Sequence, residues 1–344
     1  MPHQSTSLST ESILRVVFIL LAVGFIYLIR DVLALFFIAI ILSAAFDPTV
    51  DWLQRRKIPR ALSIIGVYLL FFLIVGSVIY LLSGPIFDQV KDMSRAFPEF
   101  YNKIQAGWHS ISGLEQIATS QNISNTITSS IGGITRGITS ATTSIFGVLT
   151  SIFGGIIGFF LILVITFYLT VEEQGMKKFV ANLVPNGRRP QVIKIIGDIQ
   201  HRMGYWLRGQ LILSVIIFMM VYVALSLLNV KYALILALVA GMLEIVPFLG
   251  PLLSAVPAIF FAFSQSFSMA VIVALVYLII QQVENQLIVP KVMGKSTGLS
   301  PLIVILSLLT GARLAGVLGA LLAVPVAIAM AVIVDSIRGS KIDK

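Results

Sequence analysis

An otherwise apolar sequence is interrupted by three polar, helix-breaking stretches: E-I-V-P-F-L-G-P at Glu244–Pro251, Q-Q-V-E-N-Q-L-I-V-P-K at Gln281–Lys291 and T-G-A-R at Thr310–Arg313. They bring two carboxylates, several amides and a guanidinium into segments that are apolar enough for a membrane. Charged groups at membrane depth are costly unless they pair with one another or face water. We therefore expect these stretches to form the working site, with the rest of the chain organised around them.

The composition is typical of a multi-pass membrane protein. Of the 344 residues, 58% are hydrophobic and 11% are charged, and the mean hydropathy is +0.99, whereas charged residues make up about a quarter of a soluble domain. The net charge of +9 comes from Lys and Arg that fall between apolar stretches, as the positive-inside rule expects. Nucleic acid is therefore not an expected partner. Because the chain has no cysteine, it has no disulfide framework and no cysteine nucleophile.

Apolar runs and polar gaps divide the chain into seven regions. They predict an all-α, polytopic membrane protein with about seven or eight membrane segments, broken or re-entrant helical hairpins in the C-terminal half, and an external helical insertion. The regions are a disordered tail (1–12), N-terminal membrane helices (13–83), an external helical region (84–145), a membrane helix (146–170), cytoplasmic amphipathic helices (171–205), a C-terminal membrane core (206–336) and a basic cytoplasmic tail (337–344).

The first membrane region contains two apolar runs, 13–29 and 32–46, separated by Arg30-Asp31. We predict a tight pair of crossings with its tip at these two charges. Asp47-Pro48 is predicted to end the second helix, because a residue that precedes proline avoids helical geometry. Basic residues mark the next connection, and by the positive-inside rule they place both it and the amino terminus in the cytoplasm. These residues are Arg55, Arg56, Lys57 and Arg60.

The region 84–145 is polar enough to leave the membrane, and its balanced charges favour an external location. Its later part carries apolar residues at alternating spacings of four and three, a heptad-like seam that continues into the next apolar helix. We predict one long helix that associates with other copies of the chain through this seam. The alternative is a flexible linker, because Gly and Thr are poor helix formers. The seam consists of Ile127, Ile131, Ile134, Ile138, Ala141, Ile145, Val148 and Ile152.

The region 171–205 alternates apolar and basic residues, which is typical of amphipathic helices on the inner membrane surface. Pro185-Asn186-Gly187 predicts a break within it. His201 is interpreted as part of a solvated face, since no second His follows at the spacing of a metal site. We expect no metal, no cofactor and no catalytic residue.

The C-terminal half contains short segments broken by Pro or Gly. The segments 232–246 and 252–263 are shorter than the ~20 residues of a crossing, and 247–251 breaks the chain between them. A second break, at 311–313, follows a limb that is also too short to cross and is predicted to be re-entrant. Interrupted segments of this kind point to a binding region. A stripe of small residues should pack against a neighbouring helix or hairpin: Gly311, Ala315, Gly319, Ala323, Ala327 and Ala331.

Together these motifs resemble one bacterial family. The E-I-V-P-F-L-G-P turn, the run Q-Q-V-E-N-Q-L-I-V-P-K-V-M-G, and the late L-S-P-L followed by G-A-R-L-A-G-V-L-G-A-L-L-A-V-P are similar to the autoinducer-2 exporter family over nearly the whole chain. The resemblance implies a multi-pass inner-membrane transporter. The family includes proteins assigned to export of the quorum-sensing furanone and others assigned to sodium/proton antiport. By similarity, its two polar motifs map onto Glu244, Pro247, Gly250 and Pro251, and onto Gln281, Glu284, Asn285 and Pro290.

From this resemblance we expect export of a small polar molecule such as autoinducer-2, with ion coupling left open. The alternatives are a sodium(lithium)/proton antiporter and, in a different class, a channel or membrane scaffold. An enzyme is not expected, because the chain has no H-E-x-x-H motif and its three histidines lie outside the apolar spans. The expected partners are the lipid bilayer, a small-molecule or ion substrate and further copies of the chain, in the bacterial inner membrane with both termini cytoplasmic.

Glu284 is the residue expected to matter most in the transport path, with Glu244 and Arg313 as its partners. On a helix, Gln281, Glu284 and Asn285 share one side, so that side needs water or a polar partner. An elevator-like movement of two hairpins against a fixed scaffold is one hypothesis. In the alternative interpretation, the two glutamates and Arg313 form ion pairs that only hold the hairpins together.

Overall fold

The protein is all-helical where the computed structural model describes it, at residues 10–78, 80, 81, 84, 85, 89, 155–172, 180–182, 184–294 and 298–342. The predicted external helix with its seam and the first nine residues lie outside these ranges, apart from isolated positions before residue 90. In chain order the helices are α1 (Thr10–Leu28), α2 (Arg30–Arg55), α3 (Arg60–Val78), α4 (Gly155–Val171), α5 (Arg189–Leu227), α6 (Ala233–Leu243), α7 (Leu249–Gln265), α8 (Phe267–Val283), α9 (Val289–Met293) and α10 (Pro301–Ile342).

Several helices are built to cross a membrane. Among the described residues, five stretches are long and apolar enough by length and composition: Arg30–Arg55, Arg60–Val78, Asn186–Leu227, Phe267–Met293 and Pro301–Ile337. The last of them folds back on itself at Ala315 and Gly316. The helices α6 and α7 are apolar but shorter. The second part of the predicted amphipathic region and the crossing after it share one helix, α5. This helix begins at Arg189, directly after a short 3-10 turn at Asn186–Arg188 that lies at the predicted break.

The predicted tight pair of crossings at Arg30-Asp31 is wrong. The amide of Ile29 donates to Phe25 O and the amide of Leu33 donates to Ile29 O, so helical hydrogen bonds continue across the junction of α1 and α2. Neither Arg30 nor Asp31 is a turn-forming residue, and the departure from helical angles is confined to Ile29 (φ −96°, ψ 9°). The chain therefore continues in one direction here instead of reversing.

The prediction that Asp47-Pro48 ends the second helix is also wrong, because α2 continues through Pro48 to Arg55. A proline inside a helix cannot donate to the carbonyl four residues earlier, which here belongs to Ala44. Gly204 of α5 packs directly against that carbonyl oxygen, and a Cβ at this position would overlap it. The helix survives because the neighbouring helix covers the defect.

A partly buried ionic cluster joins α2, α3 and α4. Arg60 lies 3.3 Å from Asp47 Oδ1 and 3.1 Å from Asp51 Oδ1, and its Nε donates to Thr170 O at 2.6 Å. Thr170 Oγ1 also donates to Ser43 Oγ at 2.9 Å. These contacts fix the three helices as one unit beside α5.

The first hairpin is formed by α6 and α7, and its turn spans 244–248. The predicted break is present: α6 ends at Leu243, and Phe248 adopts a left-handed φ of 64° before α7 begins at Leu249. Gly250 then lies against the backbone of Leu243, where a Cβ would collide with the carbonyl group. The two helices therefore meet backbone to backbone at the tip.

The second hairpin is formed by α10, which folds back on itself. Ala315 and Gly316 leave helical geometry, and Gly316 has a φ of 59°, which glycine tolerates best. Gly311 and Gly319 touch backbone to backbone across the two limbs, 301–314 and 317–342. The reversal comes after the predicted break at 311–313, because Gly311 serves close packing and Gly316 supplies the turn. Part of the small-residue stripe thus packs limb against limb.

The helices bury two main apolar cores. One joins α5, α6, α7 and α8 around residues such as Leu236, Ala258 and Val273. The other joins α2, α5, α9 and α10 around Met203, Leu308 and Ile328. The helix α5 contributes to both cores, so the first hairpin packs on one part of α5 and the second hairpin on another.

Candidate functional site

A cavity of about 160 Å³ lies where α5, the first hairpin, the end of α8 and the base of the second hairpin meet. Its polar lining comes from the two longer predicted motifs and from α5. The lining residues are Trp206, Gln210, Leu213, Glu244, Pro247, Phe248, Pro251, Gln281, Glu284, Asn285, Val289, Met293, Leu299, Pro301, Val304 and Val324. The fold therefore brings together Glu244 and Glu284, which are forty positions apart in the sequence.

Glu244 is positioned by the end of α6. Its amide still donates to Ala240 O at 3.0 Å, but its carbonyl has passed the end of the helix. Gln210 Nε2, on α5, donates to that carbonyl. Carbonyls at a helix end need such a partner when they are buried, so Gln210 both closes α6 and joins it to α5.

Glu284 is positioned by a π-helical segment, Glu284–Ile288, between α8 and α9. The amide of Val289 donates to Glu284 O, five residues earlier. Pro290 explains the widening, because a proline ring clashes with the carbonyl four residues earlier in a regular helix. The segment turns Glu284 inward, at 5% exposure, while Gln282 and Gln286 are exposed.

Unpaired acceptor oxygens dominate the polar part of the cavity. Glu244 and Glu284 both line it, and they are only 1% and 5% exposed. One oxygen of each carboxyl group, together with Gln210 Oε1, is buried with no hydrogen-bond partner in the structure. No Lys, Arg or His occurs in the described lining. Buried charge of this kind requires a proton or a cation.

The remaining walls are apolar and limit what the cavity can hold. Trp206 and Phe248 contribute rings, and Leu213, Met293 and Val324 contribute aliphatic surface. At ~30 Å³ per water the cavity has room for about five waters, whereas pockets for drug-sized ligands usually begin near ~300 Å³. The cavity therefore suits an ion or a small polar molecule.

The structure places most of the residues predicted for the site at the cavity and three of them elsewhere. Gly250 is buried in the tip contact of the first hairpin, and Pro290 is exposed at the start of α9. Arg313 is exposed, nine residues beyond Val304 on the same limb, or about 13 Å at ~1.5 Å per residue. No ion pair between Arg313 and either glutamate occurs in the structure. Those that line the cavity are Glu244, Pro247, Pro251, Gln281, Glu284 and Asn285.

Gln210 and Trp206 are cavity residues that the sequence analysis missed. Gln210 is 1% exposed and lies in the apolar part of α5. A lone amide inside an apolar membrane helix is itself a signal, because such a group needs a partner. The two residues were missed because the segment reads as an ordinary crossing and carries no break.

Comparison with known proteins finds transport proteins. The family model described as AI-2E family transporter matches residues 16–339. The candidate transport protein YueF of Bacillus subtilis (strain 168) is 30% identical over 346 residues, covering 91% of this chain and 88% of YueF. A second candidate transport protein of that organism, YrrI, is 28% identical, covering 84% of this chain and 81% of YrrI. The AI-2 transport protein TqsA of Escherichia coli (strain K12) is 25% identical, covering 90% of this chain and 88% of TqsA.

Proposed function

Because the chain belongs to the AI-2E family of membrane transporters, we propose that it carries a small polar solute across the bacterial inner membrane through the cavity around Glu244 and Glu284. Autoinducer-2 is the solute we favour, since the similar protein TqsA is named for AI-2 transport. Export is the direction that the family resemblance implies. The observation that carries the proposal is the cavity itself. Residues of two family motifs line it, and Glu244 Oε2 and Glu284 Oε2 are buried there without a hydrogen-bond partner. Such oxygens bind hydroxyl or cationic groups.

The two hairpins are the elements we expect to move. The first limb of the second hairpin, 301–314, extends about 21 Å at ~1.5 Å per residue, which is less than the ~30 Å hydrocarbon core. This length supports a re-entrant hairpin. Both hairpins hold backbone contacts within themselves, at Gly250 and at Gly311–Gly319, so each can shift as a unit. The Arg60 cluster binds α2, α3 and α4 together and supports their role as the fixed scaffold.

A sodium(lithium)/proton antiporter is the second candidate, and one observation favours it. Two buried carboxyl groups share a described lining that contains no cationic side chain. A carboxyl pair of this kind can exchange a proton for a cation as its access alternates between the two sides. Antiport would move an ion through the site, whereas export would move an organic solute.

The test is transport by inverted vesicles that contain Glu284→Gln, compared with the parent protein and with Gln282→Leu. The Gln variant keeps the shape of the side chain and removes its charge, whereas Gln282 is exposed on the same helix. We expect uptake of autoinducer-2 to fall at least tenfold in the Gln variant and to stay within twofold of the parent in the Leu variant. Parental uptake in a normally inserted Glu284→Gln protein would show that the glutamate is structural.

The same vesicles distinguish the two candidates. Imposed sodium and proton gradients should alter autoinducer-2 uptake only if export is ion-coupled. Sodium-driven proton movement without any autoinducer-2 present would favour the antiporter. Solute uptake that ignores both gradients would favour facilitated diffusion.

A further inference from the structure

A second cavity lies between α2 and α5, apart from the one lined by the two glutamates. Its volume is about 410 Å³, which falls within the ~300–1,000 Å³ range of sites for small organic molecules. The two cavities share no lining residue among those described. The transport function proposed above therefore does not account for this second cavity.

Small residues on the two helices give the second cavity its shape. At one end α2 and α5 touch, because Gly204 packs against Ala44 O and leaves no room for a Cβ. Gly197 lies seven residues earlier on α5, about two helical turns away, and a Cβ there would meet no atom within 4 Å. Gly197 lines the cavity together with Pro48. The helices therefore diverge from Gly204 towards Gly197 and leave a wedge-shaped space.

Charged groups of both signs line this wedge. Arg55 and Arg208 contribute guanidinium groups, and Asp47 and Asp51 contribute carboxylates. Arg208 is half-buried, and its Nε donates to Gly204 O at 3.1 Å. Its two terminal nitrogens have no hydrogen bond or ion pair within the described part of the chain. Because a guanidinium can only donate, these nitrogens indicate an acceptor such as a phosphate.

The wedge lies where apolar sequence meets charged sequence on both helices. On α2 the apolar run 32–46 ends at Asp47, and on α5 the apolar stretch follows a basic segment that begins at Arg189. Arg208 bends back to the carbonyl four residues earlier, as snorkelling side chains do. Trp52 lines the wedge and is 52% exposed, and Trp is enriched where a membrane meets water. These features place the wedge at the depth of lipid headgroups.

We propose that the wedge binds the headgroup of a phospholipid that carries both a phosphate and a primary ammonium, as phosphatidylethanolamine does. The phosphate accepts hydrogen bonds from the terminal nitrogens of Arg208. The ammonium donates to Asp51, whose Oδ1 already accepts from Arg60 and whose Oδ2 has no partner among the described residues. A headgroup with negative charge alone would bring that charge beside two carboxylates, so the mixed lining favours a zwitterion.

A quaternary ammonium headgroup fits the wedge less well. It has no N–H to donate to a carboxylate, and proteins bind such groups against the faces of aromatic rings. Trp52 provides the large aromatic ring of the described lining, and Arg56 already lies over that ring, 4.1 Å from its centroid. The site should therefore distinguish an ethanolamine headgroup from a choline headgroup.

The test is native mass spectrometry of the purified full chain in detergent, with phosphatidylethanolamine, phosphatidylcholine or phosphatidylglycerol added at equal mole fraction. We expect the ethanolamine lipid to bind about tenfold more tightly than the other two, the effect of one charge-assisted hydrogen bond. This preference should be lost in Arg208→Gln. It should also be lost in Gly197→Leu, which fills open space in the wedge and removes no charge. Lys194→Gln should keep it, because Lys194 is exposed on the same helix and does not line the wedge.

The competing results refute different parts of the proposal. Equal binding of phosphatidylcholine refutes recognition of the ammonium, and equal or tighter binding of phosphatidylglycerol refutes the preference for a zwitterion. A preference that survives either wedge variant refutes the assignment of the lipid to this wedge. Soluble O-phosphoethanolamine should displace the lipid. If it binds where the lipid does not, the occupant is a free zwitterion and the lipid assignment is wrong. Because none of these measurements depends on solute transport, they stand whether or not autoinducer-2 is transported.

Discussion

Replacing Arg60 with Met should separate α3 from its neighbours and lower the stability of the whole bundle. The guanidinium is 15% exposed and contacts Asp47, which is 23% exposed, at 3.3 Å. Its second ion pair counts for less, because Asp51 is 43% exposed and solvent screens such a pair to under ~1 kcal/mol. The bond to Thr170 O at 2.6 Å is a charge-assisted hydrogen bond, worth ~1.5–3 kcal/mol.

We expect Arg60→Met to cost about 2–4 kcal/mol, because it removes the charge-assisted bond to Thr170 O and the partly buried ion pair with Asp47. At ~2 °C per kcal/mol for a large domain, the melting temperature should fall by roughly 4–8 °C. Circular dichroism at the helical minimum, recorded while the protein is heated in detergent, measures this change. The matched control is Arg55→Met, because Arg55 is exposed at the end of α2. If the two variants melt within 2 °C of each other, the cluster does not hold the scaffold together.

Three further predictions follow from the fold and the sequence. Gly319→Val should lower the free energy of unfolding by about 1–3 kcal/mol through overpacking and reduce transport, because the new side chain would overlap Gly311. In the same thermal-unfolding measurements the control Gly66→Ala should be neutral or slightly stabilising, because Gly66 has open space around it. Cysteines placed singly at Ser112 and Asn186 should label from opposite sides of the membrane with an impermeant thiol reagent, and labelling from one side would refute the predicted topology. A cysteine at Thr139 should cross-link into a defined oligomer ladder, whereas only monomer from folded protein would count against self-association.

The breaks in the C-terminal half could be predicted because they depend on local backbone chemistry. Proline lacks a donor and glycine tolerates a positive φ, so the turn after Leu243 is encoded in a few residues. The reversal near Gly316 was misplaced because Gly311 looks like a breaker in the sequence. Its role is to let two backbones touch, and only the fold shows which role a glycine has.

The errors near the amino terminus have a tertiary cause. In the sequence Pro48 predicts a helix end, but in the fold Gly204 covers the Ala44 carbonyl that Pro48 leaves without a donor. Gly204 lies more than 150 residues further along the chain. Arg30-Asp31 reads as a hairpin tip because charges interrupt an apolar run. Hydrogen bonds across Ile29 show that a helix can carry two charges without turning.

The sequence was enough to predict the two carboxyl groups of the candidate site, but it was not enough to predict how the fold arranges the site. Glu244 and Glu284 lie beside breaks, which identified them, and the fold places both at one cavity. Gln210 lies in an unbroken apolar helix, so the pattern of apolar runs and breaks did not single it out as a site residue. Arg313 was grouped with the glutamates because all three are charged groups in apolar sequence, although the second hairpin carries it to the opposite end from the cavity.

The uninterrupted course of α1 and α2 bears on the position of the amino terminus. Helices of 19 and 26 residues joined by Ile29 reach about 69 Å at ~1.5 Å per residue, more than twice the ~30 Å of hydrocarbon. Such a rod must emerge from the bilayer or lie steeply tilted within it. If it crosses, its start and the basic connection after Arg55 face different compartments. They share a compartment only if neither helix crosses.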